Sequence, residues 1–474
     1  MLFSSSVFLF AFLPAVLAVY YIPLRGMRKA QNNFLLLASL IFYAWGEYRF
    51  LPVMVLSILM NYCFGRWVHR WKFQRRHLTA PVTAAVACNL AVLFFFKYLV
   101  FALESLNSLG LGLIVPIIDL PIGISFFTFQ ALSYVLDVAL GKAEVQRSPL
   151  ALGLYISFFP QLIAGPIVKY TTVAHQINGR RETWADFSSG CTRFLIGLGK
   201  KVLIANQVAV IVDRVFAADP ATLSTPMAWL GSLCYTFQIY YDFSGYSDMA
   251  IGLGKMFGFH FLENFDYPYA SRTIAGFWRR WHISLSTWFR DYLYIPLGGN
   301  RVDRRRHIRN LFVVWLLTGL WHGANWTFLL WGLFYFVLLY LEKFHVFAQH
   351  WPAFFQRLYT LLAVNFLWML FRSDTLSYAG SFLLTMLGLQ GAGGTDLICG
   401  LYLRENAVIL ILALLFSFPF APWLQKKLDA FHPLDCDISL LWDLLYAVIL
   451  ASVGILSAAY LVKGTYNPFI YFRF

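Results

Sequence analysis

Apolar stretches of about twenty residues recur along the chain, and no other feature constrains its fold so tightly, because that length carries an α-helix across the hydrocarbon core of a bilayer. They run over residues 3–24, 33–49, 50–66, 80–100, 121–140, 149–168, 187–212, 226–243, 310–321 with 324–342, 357–372, 405–422 and 440–461. Hydrocarbon offers no partner to a backbone amide, so each stretch must satisfy its own amides as a helix. The expected fold is an all-α, polytopic integral membrane protein of about 11–12 transmembrane or re-entrant helices, built as a single domain over residues 1–474. Composition excludes a soluble class: 59% of the residues are hydrophobic and 13% charged, against about 45–50% and 25% in soluble domains.

Charge orients this assembly. The net charge of +14 comes from 37 Lys and Arg against 23 Asp and Glu. The positive residues sit in short clusters between apolar stretches, a pattern that orients membrane helices and needs no nucleic acid to explain it. One cluster is Arg66, Arg70, Lys72, Arg75 and Arg76, whereas the following loop, 101–115, holds only Glu104. Arg25, Arg28 and Lys29 fall on the same side if segments alternate, and the positive-inside rule makes that side cytoplasmic. Arg301, Arg304, Arg305, Arg306 and Arg309 form another such cluster, and Lys426 with Lys427 a third. Both termini are then expected outside. Met1 to Leu24 has no Lys or Arg before its apolar run, which favours an uncleaved first helix over a signal peptide. Six scattered cysteines show no CxxC or ligand spacing, so neither a disulfide framework nor a metal site is expected.

Four polar constellations interrupt the apolar background. In LLTGLWHGANWTFLLWG, residues 316–332, His322 stands in an almost wholly apolar setting. An ionisable group there is costly and marks function by default, and histidine can take and return a proton near neutral pH. Asn325 and Trp326, three and four positions on, would share its helix face. The bland alternative is a histidine bonded to a carbonyl between helices. In FWRRWHISLSTWFRDYLYIPLGGN, residues 277–300, His282 follows Trp281 and precedes Ser284 and Ser286, with Arg279, Arg280, Arg290 and Asp291 nearby. These arginines suit either snorkelling to an interface or a vestibule for the phosphates of an anionic donor such as coenzyme A.

FQIYYDFSGYSDMAIGLG, residues 237–254, places Asp242, Ser244 and Asp248 beside a span. An aspartate at mid-bilayer costs about 2.5–3.5 kcal/mol, so these carboxylates line a cavity or pair with a nearby arginine. SFFPQLIAGPIVKY, residues 157–170, contains Gln161 and a helix-breaking Gly165-Pro166, and reads as a kinked span lining a cavity. Gln161, Asp242, Ser244 and Trp321 are the expected cavity-lining side chains. The chain ends in the aromatic NPFIYFRF, residues 467–474.

These motifs, together with MLFSSSVFLFAFLP and LPIGISFFTFQALSYVLDV, resemble the membrane-bound O-acyltransferase superfamily, and within it the bacterial branch of alginate O-acetylases. The resemblance spans nearly the whole chain. It implies a ring of helices around a central tunnel in the bacterial inner membrane. It also implies that His322 is the essential histidine, that His282 lies in or near the same tunnel, and that the protein binds no resident cofactor but uses acetyl-CoA or another acetyl thioester as donor. Asn325, a Trp ring N–H or His282 would stabilise the oxyanion. The implied partners are the lipid bilayer, a periplasmic SGNH/esterase-like acetyltransferase and a polysaccharide as final acceptor. The tail spacing F-x-Y-x-x-F over Phe469, Tyr471 and Phe474 is similar to a motif that a related D-alanylation system carries on a separate peptide, which makes Tyr471 a candidate acyl relay. Competing readings are O-acetylation of cellulose or another cell-envelope polymer, and a transporter without chemistry.

Overall fold

A computed structural model describes residues 1–163, 165–392, 396–430, 436–464 and 466–470. Every regular element among them is helical. Among the described residues, six helical runs are long and apolar enough to cross a membrane: Arg28–Phe73, Thr79–Asn107, Trp184–Ala217, Trp326–Phe344, Ala353–Arg372 and Leu444–Lys463. Leu397–Glu405 and Ala407–Phe416, bent by 66° at their junction, make a seventh if taken as one span.

The other expected spans exist as helices that are shorter, broken or too polar to pass that test. Residues 33–49 and 50–66 run together through a 3-10 turn at Tyr48–Phe50. The stretch 149–168 breaks into Pro149–Ser157 and Phe159–Leu162 at Phe158, because Pro160 cannot continue a helical hydrogen-bond ladder and Pro166 forces extended backbone before it. The stretch 226–243 lies inside a 32-residue helix, Thr225–Met256.

The chain divides into two compact units. The first comprises Met1–Phe194, Met249–Glu263 and Thr287–Pro296. Here Asn61 and Asn89 exchange hydrogen bonds of 3.0 and 2.9 Å while almost wholly buried. Such a reciprocal amide pair joins two apolar helices where lipid could not satisfy either side chain. Arg28 grips Glu182 through both guanidinium nitrogens, and Tyr20 bonds the same carboxylate.

The second unit comprises Leu195–Asp248, Asn264–Ser286 and Leu297–Phe474. Its core is aromatic: Trp278, Trp281, Trp315, Trp331, Trp368, Tyr335 and Phe371 pack ring against ring. Each such pair adds about 0.5–1.5 kcal/mol beyond its buried area. Arg304–His322 and Trp326–Phe344 form a hairpin whose backbones touch. A Cβ on Gly319 would lie 2.5 Å from Phe328 O, and one on Gly332 would lie 2.5 Å from Trp315 O. Glu342 accepts from the backbone N–H groups of Ile274 and Ala275 at 2.7 and 3.1 Å, placing a carboxylate at the N-terminus of the Ile274–Trp278 turn.

Candidate active site

His322 is the last residue of the Arg304–His322 helix. The chain then extends through Gly323, and Asn325 caps the next helix by accepting from Thr327 N at 3.0 Å. His322, Asn325 and Trp326 therefore do not share one helical face, contrary to their sequence spacing. The Asn325 amide nitrogen donates to Asp374 O at 2.9 Å, so both ends of that side chain are committed to structure, and Trp326 points outward, 55% exposed.

The His322 ring is buried and boxed edge-on by Trp321, Trp331 and Phe371, with centroids 5.0, 5.0 and 5.1 Å away. Trp321 also stands 5.9 Å from the ring of His282, so one indole neighbours both histidines. Trp331 Nε1 is buried without a hydrogen-bond partner among the described residues.

His282 occupies the link between Ile274–Trp278 and Ile283–Phe289 with φ of 45°, a left-handed conformation uncommon for a side chain of this kind. Asn264, which sequence reasoning missed, fixes it. The Asn264 amide nitrogen donates to Ser247 Oγ at 3.0 Å. Its oxygen is thereby turned to His282 Nδ1 at 3.1 Å, Ser284 Oγ at 2.8 Å and Ser284 N at 3.2 Å. An amide oxygen only accepts, so Nδ1 carries the proton and Nε2 is left as the basic nitrogen. With Nδ1 committed to Asn264, Nε2 is the ring nitrogen left for other partners.

Asp242 and Ser244 are both buried in the Thr225–Met256 helix. The partner of Asp242 is not an arginine. Lys201 Nζ stands 2.6 Å from Asp242 Oδ1, and each side chain is 1% exposed. Lys201 lies in a π-helical turn, Lys200–Ala205, of the sort that recurs at functional sites. The same two side chains hold the C-terminal tail: Lys201 Nζ donates to Pro468 O, and Ile470 N donates to Asp242 Oδ2 at 2.9 Å. Asp248 pairs instead with Lys200 at 2.6 Å.

Ile470 lines one small cavity together with Ile239, Phe243, Trp281, His322, Trp368 and Phe371. Its volume of about 10 Å3 is room for about one water molecule. Tyr471 lies outside the described residues. The remaining expected residues are divided between the two units. Gln161 is buried in the first unit, where its amide nitrogen donates to Tyr155 O. Arg290 belongs to that unit too, paired with Asp291 at 2.7 Å and 57% exposed. Arg279 and Arg280 belong to the second unit and are exposed, with Arg280 3.8 Å from Asp266.

A buried histidine facing a cavity fits many chemistries, and sequence comparison decides among them. The profile of the membrane-bound O-acyltransferase family matches residues 37–381. The chain belongs to that family. As a membrane-bound O-acyltransferase it requires an acyl donor and a hydroxyl acceptor, and its apolar helices make it a multi-pass membrane enzyme. A probable alginate O-acetylase of Pseudomonas putida is 40% identical, covering 100% of both chains. The peptidoglycan O-acetyltransferase of Helicobacter pylori is 37% identical over 82% of this chain and 80% of its own. The teichoic acid D-alanyltransferase of Bacillus subtilis is 29% identical over 51% of this chain and 64% of its own.

Proposed function

We propose that this O-acyltransferase takes acetyl groups from a cytoplasmic thioester, acetyl-CoA, and passes them across the bacterial inner membrane for O-acetylation of an exopolysaccharide, alginate. The full-length likeness to a protein named as a probable alginate O-acetylase supports the polymer. The basic clusters support a cytoplasmic donor side, with both termini outside. Arg279, Arg280 and Arg290, all exposed, are the candidate contacts for donor phosphates. A periplasmic SGNH/esterase-like protein completes delivery to the polymer.

In this mechanism His322 is the general base. As the acceptor hydroxyl attacks the thioester carbonyl, its proton moves to the imidazole and a C–O bond forms. The C–S bond then breaks, and the imidazolium returns the proton to the departing thiolate. A tryptophan ring N–H is the donor offered to the oxyanion. His282, positioned by Asn264, is a second basic group beside Trp321. Tyr471 supplies the first acceptor hydroxyl as a transient carrier. The observation that carries this reading is that the His322 ring and Ile470, the residue preceding Tyr471, line the same cavity. An acetyl group needs more room than one water, and Ile470 is the wall of that cavity contributed by the C-terminal tail.

His322→Ala tests it. The variant should remain folded in the membrane while polymer acetylation falls by at least about 100-fold, the lower bound for losing a general base. Normal acetylation would remove His322 from the chemistry. Tyr471→Phe should abolish transfer as well, and unchanged transfer would eliminate the relay while leaving the enzyme intact. A second polymer, peptidoglycan, is favoured by the likeness to the Helicobacter pylori enzyme. Which polymer loses acetate in the His322→Ala strain separates the two.

A further inference from the structure

The buried pair of Lys201 and Asp242 has no evident structural need. Withdrawing two charges from water is costly, and packed apolar residues in their place are often neutral or stabilising. Both side chains nevertheless sit 1% exposed at 2.6 Å, in a unit otherwise cored with aromatic rings. Their remaining hydrogen-bonding capacity goes to one place, the main chain of the C-terminal tail. Lys201 Nζ donates to Pro468 O and Asp242 Oδ2 accepts from Ile470 N, so the pair holds two peptide groups of one short segment. Flanking contacts act on the side chains between: Lys201 Nζ stands 5.7 Å from the centre of the Phe469 ring, and Tyr246 packs on that ring at 4.9 Å. Asn206 Nδ2 donates to Asn467 Oδ1 at 3.2 Å. Asn206 begins the helix that follows the π turn carrying Lys201.

We propose that Lys201 and Asp242 are positioning residues: a clamp that docks the chain's own tail, by its main chain, so that the tail enters the His322 cavity in a fixed register. The clamp recognises a peptide by its carbonyl at 468 and its N–H at 470. It sets register because both main-chain groups must be met at once, at fixed positions along the tail. The role of the docked tail in transfer rests on the reading of Tyr471 given above, whereas docking itself does not.

Trimming the purified full-length chain with a carboxypeptidase, followed by mass spectrometry of the remaining chain, tests the clamp without reference to activity. In the unaltered protein trimming should not pass Ile470. In Lys201→Met/Asp242→Leu, which removes the pair without leaving an orphan charge, trimming should run through Asn467 at least tenfold faster, with gel-filtration behaviour unchanged. Polymer acetylation should fall at least tenfold in the same variant. Trimming of the folded unaltered protein past Ile470 overturns the clamp, and this result needs no variant to fold. A folded double variant that stops where the unaltered protein stops overturns it too. Extended trimming with normal acetylation supports docking and overturns the delivery role. That outcome would also refute Tyr471 as carrier, while His322→Ala judges the acyl transfer separately.

Discussion

Asn264 shows how much of a site can rest on a residue that touches no reacting atom. Its single amide orders His282 and Ser284 and is itself oriented by Ser247. Asn264→Ala should therefore lower acetyl transfer by at least about tenfold through loss of imidazole orientation. It should also cost about 1–3 kcal/mol of stability by leaving buried donors unpaired. Asn264→Asp, which keeps an acceptor, should retain much of both. Acetylation assays and thermal unfolding in detergent measure the two effects, and an alanine variant that transfers normally would leave His282 without a role in turnover. The sequence pointed to His322 and His282 because ionisable groups are conspicuous among apolar neighbours. It did not point to Asn264, since a polar residue in a loop-like stretch carries no signal until its partners are in place. Lys201 was overlooked for a related reason: its carboxylate partner lies on a different helix.

Among the elements, the hairpin of Arg304–His322 and Trp326–Phe344 depends on two glycines that let backbone meet backbone. Adding a methyl at Gly319 would place it 2.5 Å from a carbonyl oxygen that cannot move aside without shifting its helix. Gly319→Ala should cost about 1–3 kcal/mol, the usual penalty for overpacking. Gly380→Ala, in a helix where a Cβ meets nothing within 4 Å, should be neutral or stabilising by up to about 1 kcal/mol. Equal melting temperatures for the two variants would contradict the close packing. Helix content was legible from apolar run length. The breaks were less so, because a π turn such as Lys200–Ala205 leaves no compositional mark. The stop after His322 was written in Gly323 and the capping residue Asn325, yet their spacing also fits a continuous helix.

For the molecule as a whole, the proposed orientation rests on charge. With native cysteines replaced, Arg75→Cys should react with an impermeant maleimide only after the membrane is opened, and Leu111→Cys, 58% exposed in the native side chain, should react in intact spheroplasts. The opposite pattern would invert the topology and place the tail in the cytoplasm. The division into two units was not readable from sequence, because each is assembled from three separated stretches of the chain and no linker marks a boundary. The tail's position has a consequence for supply. The helix Cys436–Lys463 ends only a few residues before the clamped Pro468, a tether short enough to hold its end at a local concentration on the order of millimolar or above. With Tyr471 as carrier, each enzyme would be provisioned with one carrier in fixed stoichiometry, however scarce the protein is in the cell, and a copy with a damaged end would have to compete with its own attached segment before another could serve it.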